Sequence, residues 1–540
     1  MSSWNRVERW TFSALLLLAL GLRAYTLTSQ PFWSDEWYTL KMVSQPTLFQ
    51  DILMILVTDF YPPLFYGLTW VGVRLGGEGI FFLRLISFLG GVAAVAMVFI
   101  IARRWAGQRA ALYAGLLAAL SPMGVYYAQE FKLYSFFAAC GLWVLYEALA
   151  CLDEEGRSWK RLALATAVSM YTYYLMPYLL LPLFLAAAWA WAQGWRQRAR
   201  ATATGLALGM LCALPLLPFF LKAAMMFTAN FWDKGKHLLL WYTAQNFSTG
   251  FVAPEALAQA AALFFATLVA YNLRRRGKGA WAVAVMAAFA VLPSVVQWVQ
   301  SELARPSYSD RAMLGSAYAW ALCAGLGASL LPPWLGRLAL ALALSVNAYS
   351  LSLHYGPETR SRYDYQASYE ALKRDWRPGD AVFHAQPQSL FPFCYFSRED
   401  HSGMQNWDKV DDPGFNFNAA VQGGRRYWRP VNAWLKERGL GIDAGLDSAY
   451  VFAPRLDDLA LKGVQRVWLV SPSVAVLNRC WIPLLNLSRN GFSEFQALDV
   501  EKETWLTERG FRLSAQSELS PGVAVYRFDR RAKSKGHGNA

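Results

Sequence analysis

Two adjacent carboxylates, Asp35 and Glu36, stand in the segment Pro31-Phe32-Trp33-Ser34-Asp35-Glu36-Trp37-Tyr38. Aromatic residues on either side suit a membrane–water interface. Neighbouring carboxylates repel each other, and an apolar setting disfavours the charged form, so one of the two can serve as a proton acceptor near neutral pH. The plainer account is a solvated helix start, with Ser34 as N-cap and both acids complementing the helix dipole.

A second cluster runs from Ser121 to Tyr134 and includes Tyr126-Tyr127-Ala128-Gln129-Glu130-Phe131-Lys132. A charge at a membrane-helix centre costs about 2.5–3.5 kcal/mol, so ionisable groups retained between two apolar helices point to a site. A helix through Tyr127–Tyr134 would put Tyr127, Glu130 and Tyr134 on one face. An interfacial aromatic belt with a local contact of Glu130 to Lys132 or Tyr134 accounts for the same residues. The third cluster, Arg305-Pro306-Ser307-Tyr308-Ser309-Asp310-Arg311, precedes a late apolar run. Arg311 offers a planar fork for a phosphate, or else anchors the helix by snorkelling. Asp59-Phe60-Tyr61-Pro62-Pro63-Leu64 interrupts the chain before a short apolar helix, juxtamembrane or re-entrant, which the prolines would cap.

These clusters need a scaffold, and the composition says which kind. The 540 residues are 55% hydrophobic and only 16% charged, against about 25% charged in ordinary soluble chains. A disordered protein and a single soluble domain are excluded. The net charge of +14 comes from Lys and Arg in short clusters between apolar runs, a membrane pattern and not a nucleic-acid one. Eleven runs suit spanning helices, with an error of one or two: Trp10–Leu27, Phe81–Ala102, Ala110–Ser121, Tyr134–Cys151, Leu162–Leu175, Met176–Trp195, Thr202–Leu221, Ala256–Leu273, Ala280–Val299, Arg311–Leu331 and Arg337–His354. The first has no small-residue cleavage site after it and reads as a retained helix.

Basic residues at Arg103–Arg109, Arg157–Arg161, Arg196–Arg200, Arg274–Lys278 and Arg337 fall in alternate loops, which makes those loops and the N-terminus cytoplasmic. Asp35, Glu130, Asp310 and everything after about Tyr355 then lie outside. The expected organisation is mainly α: residues 1–355 form a polytopic helical membrane domain, 356–529 an extracytoplasmic α/β domain, and 530–540 a disordered basic tail. Within the second part, Tyr369–Trp376 reads as a helix end, Arg377–Asp380 as a turn, and Ala381–Ala385, Val464–Val470 and Val523–Phe528 as strands. Cys140, Cys151, Cys212 and Cys323 read as packing residues of apolar helices, while Cys394 and Cys480 could pair in an oxidising compartment. No metal-ligand spacing occurs among the cysteines and histidines.

In order along the chain, Leu20-Gly21-Leu22-Arg23-Ala24-Tyr25, Trp33-Ser34-Asp35-Glu36, Tyr61-Pro62-Pro63-Leu64, Tyr126-Tyr127-Ala128-Gln129-Glu130 with Tyr134, and the arginine before a late helix form a pattern. It resembles the membrane-embedded GT-C glycosyltransferases, above all bacterial relatives of the dolichyl-phosphate-mannose protein mannosyltransferases and of the aminoarabinose transferase that modifies lipid A. The resemblance covers roughly residues 10 to 355. Three positions depart from the family pattern: Tyr61 stands where histidine is usual, Lys132 where arginine is usual, and Ala312 where a tyrosine commonly follows the arginine. A lysine neutralises phosphate as a point charge without bidentate geometry.

The resemblance implies an inverting transferase of the inner (cell) membrane that moves a sugar from a polyprenyl-phosphate donor to an acceptor hydroxyl on a lipid, glycan or protein. Asp35 would take the acceptor proton, with Glu36 orienting Asp35 or the acceptor. Lys132 and Arg311 would neutralise the departing phosphate, and Glu130 would hold Lys132 or a sugar hydroxyl. Tyr61, Tyr127 and Tyr134 would contact the sugar. No cofactor is required; a divalent cation is compatible with such a site. The rival class is a polar-lipid transporter or flippase, which should carry charges at helix centres and repeated broken helices.

Overall fold

The structure is a computed structural model that describes residues 4–32, 34–58, 61–226, 239–277, 279–303, 308–356, 365–377, 380–384, 464–472, 503–520 and 523–530. The first helix, α1 (Arg6–Ala24), opens with a capping box in which Asn5 and Glu8 satisfy each other's backbone N–H groups. Three short helices follow: α2 (Ser34–Val43), α3 (Leu48–Thr58) and α4 (Leu64–Gly76), the last capped by Pro63 as the proline pair suggests. The longest, α5 (Ile80–Ala106), has 27 residues. Next, α6 (Gln108–Ala119) and α7 (Pro122–Ala128) meet at a 56° bend, with Ser121 capping α7 through Gly124 N–H. The sequence continues through α8 (Tyr134–Asp153), α9 (Trp159–Met170), α10 (Met176–Ala192) and α11 (Arg196–Leu211). Beyond these lie α12 (Leu217–Met226), α13 (Leu239–Thr249), α14 (Glu255–Asn272), α15 (Ala280–Leu303), α16 (Leu314–Leu330) and α17 (Pro333–Tyr355).

Among the described residues, five helices are long and apolar enough to cross a membrane: α5, α8, α15, α16 with its 3-10 lead-in, and α17. Counting each bent pair as one span raises the number to seven. The other apolar runs are helical as well, but shorter or more polar. The 12 residues of α9 are too few for a 30 Å core, and α1 carries Glu8 and Arg23.

The centre of the helical body is α16, 89% of whose apolar window is buried, whereas α17 with 33% lies at the periphery. Helices α6, α8, α14 and α15 pack around α16, and α5 packs on α8. That last crossing depends on Gly90, where an added Cβ would lie 2.6 Å from the backbone of Phe136. The basic loops gather at one end. Arg103 grips Glu8 at 2.9 Å, Arg104 and Arg157 both bond Glu154, and Arg275 caps the Ala106 carbonyl. The Arg157 hydrogen bond, more than any other influence, holds the Glu154 carboxyl below the usual range. Arg84 and Arg103 stand on the same helix, and 19 residues of helix separate them by roughly 28 Å. The end of the body near Arg84 is therefore remote from the basic loops.

Two expectations change. The segment after Ala128 leaves the helix: Gln129–Leu133 forms a break, with Lys132 N–H bonded to the Glu130 carbonyl at 2.7 Å, and α8 starts at Tyr134. The shared helical face of Tyr127, Glu130 and Tyr134 does not exist, although the two rings meet by another route. Of the four helix cysteines, Cys140, Cys151 and Cys323 are buried, but Cys212 is exposed at the C-terminus of α11.

In the C-terminal region, α18 (Tyr365–Asp375) precedes β1 (Ala381–His384), β2 (Arg466–Pro472), β3 (Phe511–Ser520) and β4 (Val523–Arg530). They form one sheet in the order β1-β2-β4-β3, with β1 and β2 parallel and the other pairs antiparallel. Apolar side chains cover both faces; Tyr365, Tyr369 and Leu372 of α18 pack on Trp468, Val470, Val523 and Val525. Asp380 anchors the turn after α18, accepting from Arg466 at 2.9 and 2.6 Å and from Trp468 Nε1 at 3.0 Å. Strand β3 was not expected: its sequence is largely polar, it occupies an edge, and its pairing shifts register twice. Arg530, expected to begin the basic tail, instead ends β4, and Cys394, Cys480 and residues 531–540 lie outside the described residues.

Candidate active site

Glu36 is held from three directions. Arg84 donates to it through Nε at 2.8 Å and Nη2 at 2.7 Å, and the Phe131 N–H donates at 2.7 Å. Arg84 also donates to the carbonyls of Leu27, Gln30 and Pro31 at 2.5, 3.1 and 3.1 Å. Neither side chain of the pair has exposed surface. A charge buried so completely persists only when its hydrogen-bonding capacity is filled, and here the fork-to-fork geometry and the loop carbonyls fill it. The pair ties the loop before α2 to both α5 and the Gln129–Leu133 break. Glu36 thus faces Arg84 and the Phe131 N–H.

Its neighbour Asp35, one residue earlier on α2, points elsewhere. Arg311 Nη1 reaches Asp35 Oδ2 at 3.4 Å, across 276 residues of sequence, and the two side chains keep 24% and 36% of their surface exposed. This pair is therefore open to a ligand where the Glu36–Arg84 pair is closed. Arg311 lies over the Tyr134 ring at 5.4 Å from its centroid. Its backbone N–H donates to Asp310 Oδ1 at 2.7 Å, and Asp310 Oδ2 accepts from Asn246 Nδ2 at 2.7 Å. Thr243, one turn earlier on α13, bonds the Tyr308 hydroxyl at 2.6 Å. One polar face of α13 thereby sets the chain segment that presents Arg311.

The break after α7 supplies the second cation. The buried Lys132 places its Nζ 5.8 Å from the Tyr61 ring centroid, and its carbonyl accepts from Ser87 at 2.7 Å. Gln129 spans the break: its Nε2 donates to the Arg23 and Tyr25 carbonyls, and its Oε1 lies 3.0 Å from His354 Nε2. Arg23, in turn, donates to the Ala118 and Ala119 carbonyls that end α6 and to the Tyr318 hydroxyl. Glu130 is buried within electrostatic range of Tyr127 and Tyr134.

Tyrosines join the two cations. Tyr127 meets Tyr134 edge to face at 5.2 Å, Tyr134 meets Tyr173 at 6.0 Å, and Tyr173 meets Tyr61 at 5.6 Å. The structure thus brings together Asp35, Lys132, Arg311, Tyr61, Tyr127, Glu130 and Tyr134, with Glu36 clamped behind them. Sequence reasoning missed Arg84, Asn246, Tyr173 and Tyr174. A single arginine inside the apolar run Phe81–Ala102 was the available signal for the first; the other three had none. Among the described residues no three His, Cys, Asp or Glu side chains converge as a metal site would need.

The site thus holds a carboxylate beside a cation and a second cation on the far side of a tyrosine cluster, with the basic end remote from both. In fold the chain is similar to ArnT from Cupriavidus metallidurans in the apo state, with a TM-score of 0.57, 15% identity, and coverage of 97% of this chain and 98% of that one. The same protein bound to undecaprenyl phosphate gives a TM-score of 0.55, 15% identity, and coverage of 95% and 97%. The fold of the chain is therefore of the same polytopic helical kind as that membrane protein's. Residues 61–220 match the family model described as dolichyl-phosphate-mannose-protein mannosyltransferase, which bears out the resemblance carried by the motifs. The match includes Tyr61, Lys132 and the tyrosines, while Asp35, Glu36 and Arg311 lie beyond it. No protein of curated function matches the chain by sequence.

Proposed function

We propose that this protein is an inverting glycosyltransferase that moves a sugar from a polyprenyl-phosphate carrier to an acceptor hydroxyl on the extracytoplasmic side of the cell membrane. The observation that carries the reading is the meeting of Asp35 and Arg311 at 3.4 Å, partly exposed, beside the tyrosines that lead to Lys132. Sidedness is supported by the basic loops, which by the positive-inside rule belong in the cytoplasm and lie at the other end of α5. On the outer side nucleotide sugars are lacking, so an activated sugar must arrive on a lipid.

In the reaction, Asp35 accepts the proton of the acceptor hydroxyl. The acceptor oxygen forms a bond to the anomeric carbon on the face opposite the phosphate. The bond from that carbon to the phosphate oxygen breaks, and its electron pair leaves with polyprenyl phosphate. Charge grows on the leaving oxygen, and Arg311 and Lys132 stabilise it; groups of this kind contribute about 3–4 kcal/mol each to a transition state. Arg311 exchanges the Asp35 carboxylate for phosphate when donor binds, which leaves Asp35 to the acceptor. Glu36 acts at a distance, by fixing α2 through Arg84. The acceptor is a lipid, a glycan or a protein, and the C-terminal region is the natural part to select it.

The test is purified protein in lipid, given a panel of polyprenyl-phosphate sugars and an envelope extract, with free polyprenyl phosphate followed by mass spectrometry. Release from one donor by the wild type, lost in Asp35→Asn, is the expected result. Undiminished release by Asp35→Asn overturns the assignment of the base; translocation of lipid without release overturns the transferase in favour of a flippase.

A further inference from the structure

Tyr173 and Tyr174 lie in the turn between α9 and α10, and no motif drew attention to them. The turn is fastened to the proline segment by a backbone hydrogen bond of 3.1 Å, from Leu64 N–H to the Tyr171 carbonyl. That bond brings Tyr61 against Tyr174 at 5.9 Å, while Tyr173 and Tyr174 meet edge to face at 4.7 Å. Burial differs among these rings. Tyr66, Tyr134 and Tyr173 have 0, 1 and 2% of their surface exposed and belong to the core, whereas Tyr61 and Tyr174 are each half-buried. The two rings are inclined to each other by 32°. Lys132 lies over the Tyr61 ring. Arg311, with Asp35 beside it, is within electrostatic range of both Tyr61 and Tyr174.

We propose that Tyr174, with Tyr61, forms a stacking platform for the pyranose ring of the lipid-linked donor. This platform presupposes the polyprenyl-phosphate donor proposed above and adds the surface that recognises its sugar. A pyranose presents a face of C–H bonds that suits an aromatic wall, and hydroxyls at its rim that suit phenol groups. With the phosphate between Lys132 and Arg311, a ring laid on Tyr61 and Tyr174 brings its anomeric carbon toward Asp35. The Tyr174 hydroxyl is a donor at neutral pH, as any phenol is.

A selective loss separates this role from a structural one. Wild type, Tyr174→Ala and Tyr174→Phe in lipid nanodiscs would be titrated with undecaprenyl-phosphate hexoses and with bare undecaprenyl phosphate. The platform predicts that the wild type prefers one sugar-bearing lipid to the bare one. It also predicts that Tyr174→Ala loses at least tenfold in affinity for that lipid with the bare lipid unchanged, and that Tyr174→Phe restores most of the difference. Equal weakening of both lipids, an unaltered preference in Tyr174→Ala, or a wild type without preference overturns it. Sugar-selective binding that follows Tyr174 without release of polyprenyl phosphate supports the platform and overturns transfer instead.

Discussion

Asp35 and Glu36 are neighbours in the chain, yet each is bound to a different arginine: Asp35 to Arg311 at 3.4 Å in an open site, Glu36 to Arg84 at 2.7 Å in a closed one. Placing adjacent acids on separate cations relieves their mutual repulsion and divides the labour between them. One is available to a ligand; the other holds the loop that presents it.

The first prediction concerns the closed pair. Removing one member leaves an uncompensated buried charge, a loss of about 3–5 kcal/mol. Arg84→Met and Glu36→Leu should each lower the melting temperature sharply in detergent. The double variant should recover much of the loss, since an apolar pair of similar volume costs little or nothing. Thermal unfolding of the three proteins checks this, and a double variant no more stable than the singles would contradict it.

Asp51, on α3, yields a prediction in pH. Its carboxyl is fully buried, and burial pushes its pKa up to about 8, with Arg74 offsetting part of the shift. Arg74 is also engaged by the Gln45 carbonyl and by the Trp70 ring at 4.9 Å. The folded state therefore holds this proton more tightly than the unfolded chain, whose aspartate titrates near 3.9. Stability should fall as pH rises from about 4 to about 8 and level off above. Asp51→Asn removes that penalty, on the order of a few kcal/mol at pH 8. The variant should melt higher than the wild type at pH 8 and nearly equal to it at pH 4; a gain independent of pH would refute the assignment.

Much of this site was legible in the sequence, for a physical reason. Ionisable and aromatic residues in the turns between apolar helices stand out, so Asp35, Lys132, Tyr61 and Arg311 could be picked out and assigned to one end. What could not be read was pairing. Arg84 is a single letter inside an apolar helix, its partner lies 48 residues earlier, and no local pattern joins them. Tyr174 resembles any other aromatic residue at a helix end until Leu64 docks on Tyr171. The break at Gln129–Leu133 was hidden because its cause is distant: Gln129 turns its amide to the Arg23 and Tyr25 carbonyls.

Lys132 and Arg311 should differ in their response to substitution. Lys132 acts as a point charge over a ring, so Lys132→Arg should keep much of the donor turnover while Lys132→Ala raises KM for the donor. Arg311 offers a fork already shared with Asp35, and Arg311→Lys should lower kcat by about tenfold to a hundredfold, at roughly 1.36 kcal/mol per decade. Steady-state kinetics with varied donor separate the two cases.

The last prediction follows the support of Arg311 inward. Asp310 is buried, with one oxygen on the Arg311 backbone N–H and the other on Asn246. Asn246→Leu would remove the second donor and leave a buried carboxylate oxygen unsatisfied, a cost of about 1–3 kcal/mol or more for a charged group. The simplest relief is rotation of the Asp310 side chain, which would release the Arg311 N–H and with it the start of the 3-10 turn Asp310–Met313. Donor turnover should fall in Asn246→Leu, and Asp310→Asn introduced into the same protein should return part of both stability and turnover, because a neutral amide tolerates the lost bond better. If Asn246→Leu proves as active as the wild type, α13 does not set the position of Arg311, and the polar face of that helix serves packing alone.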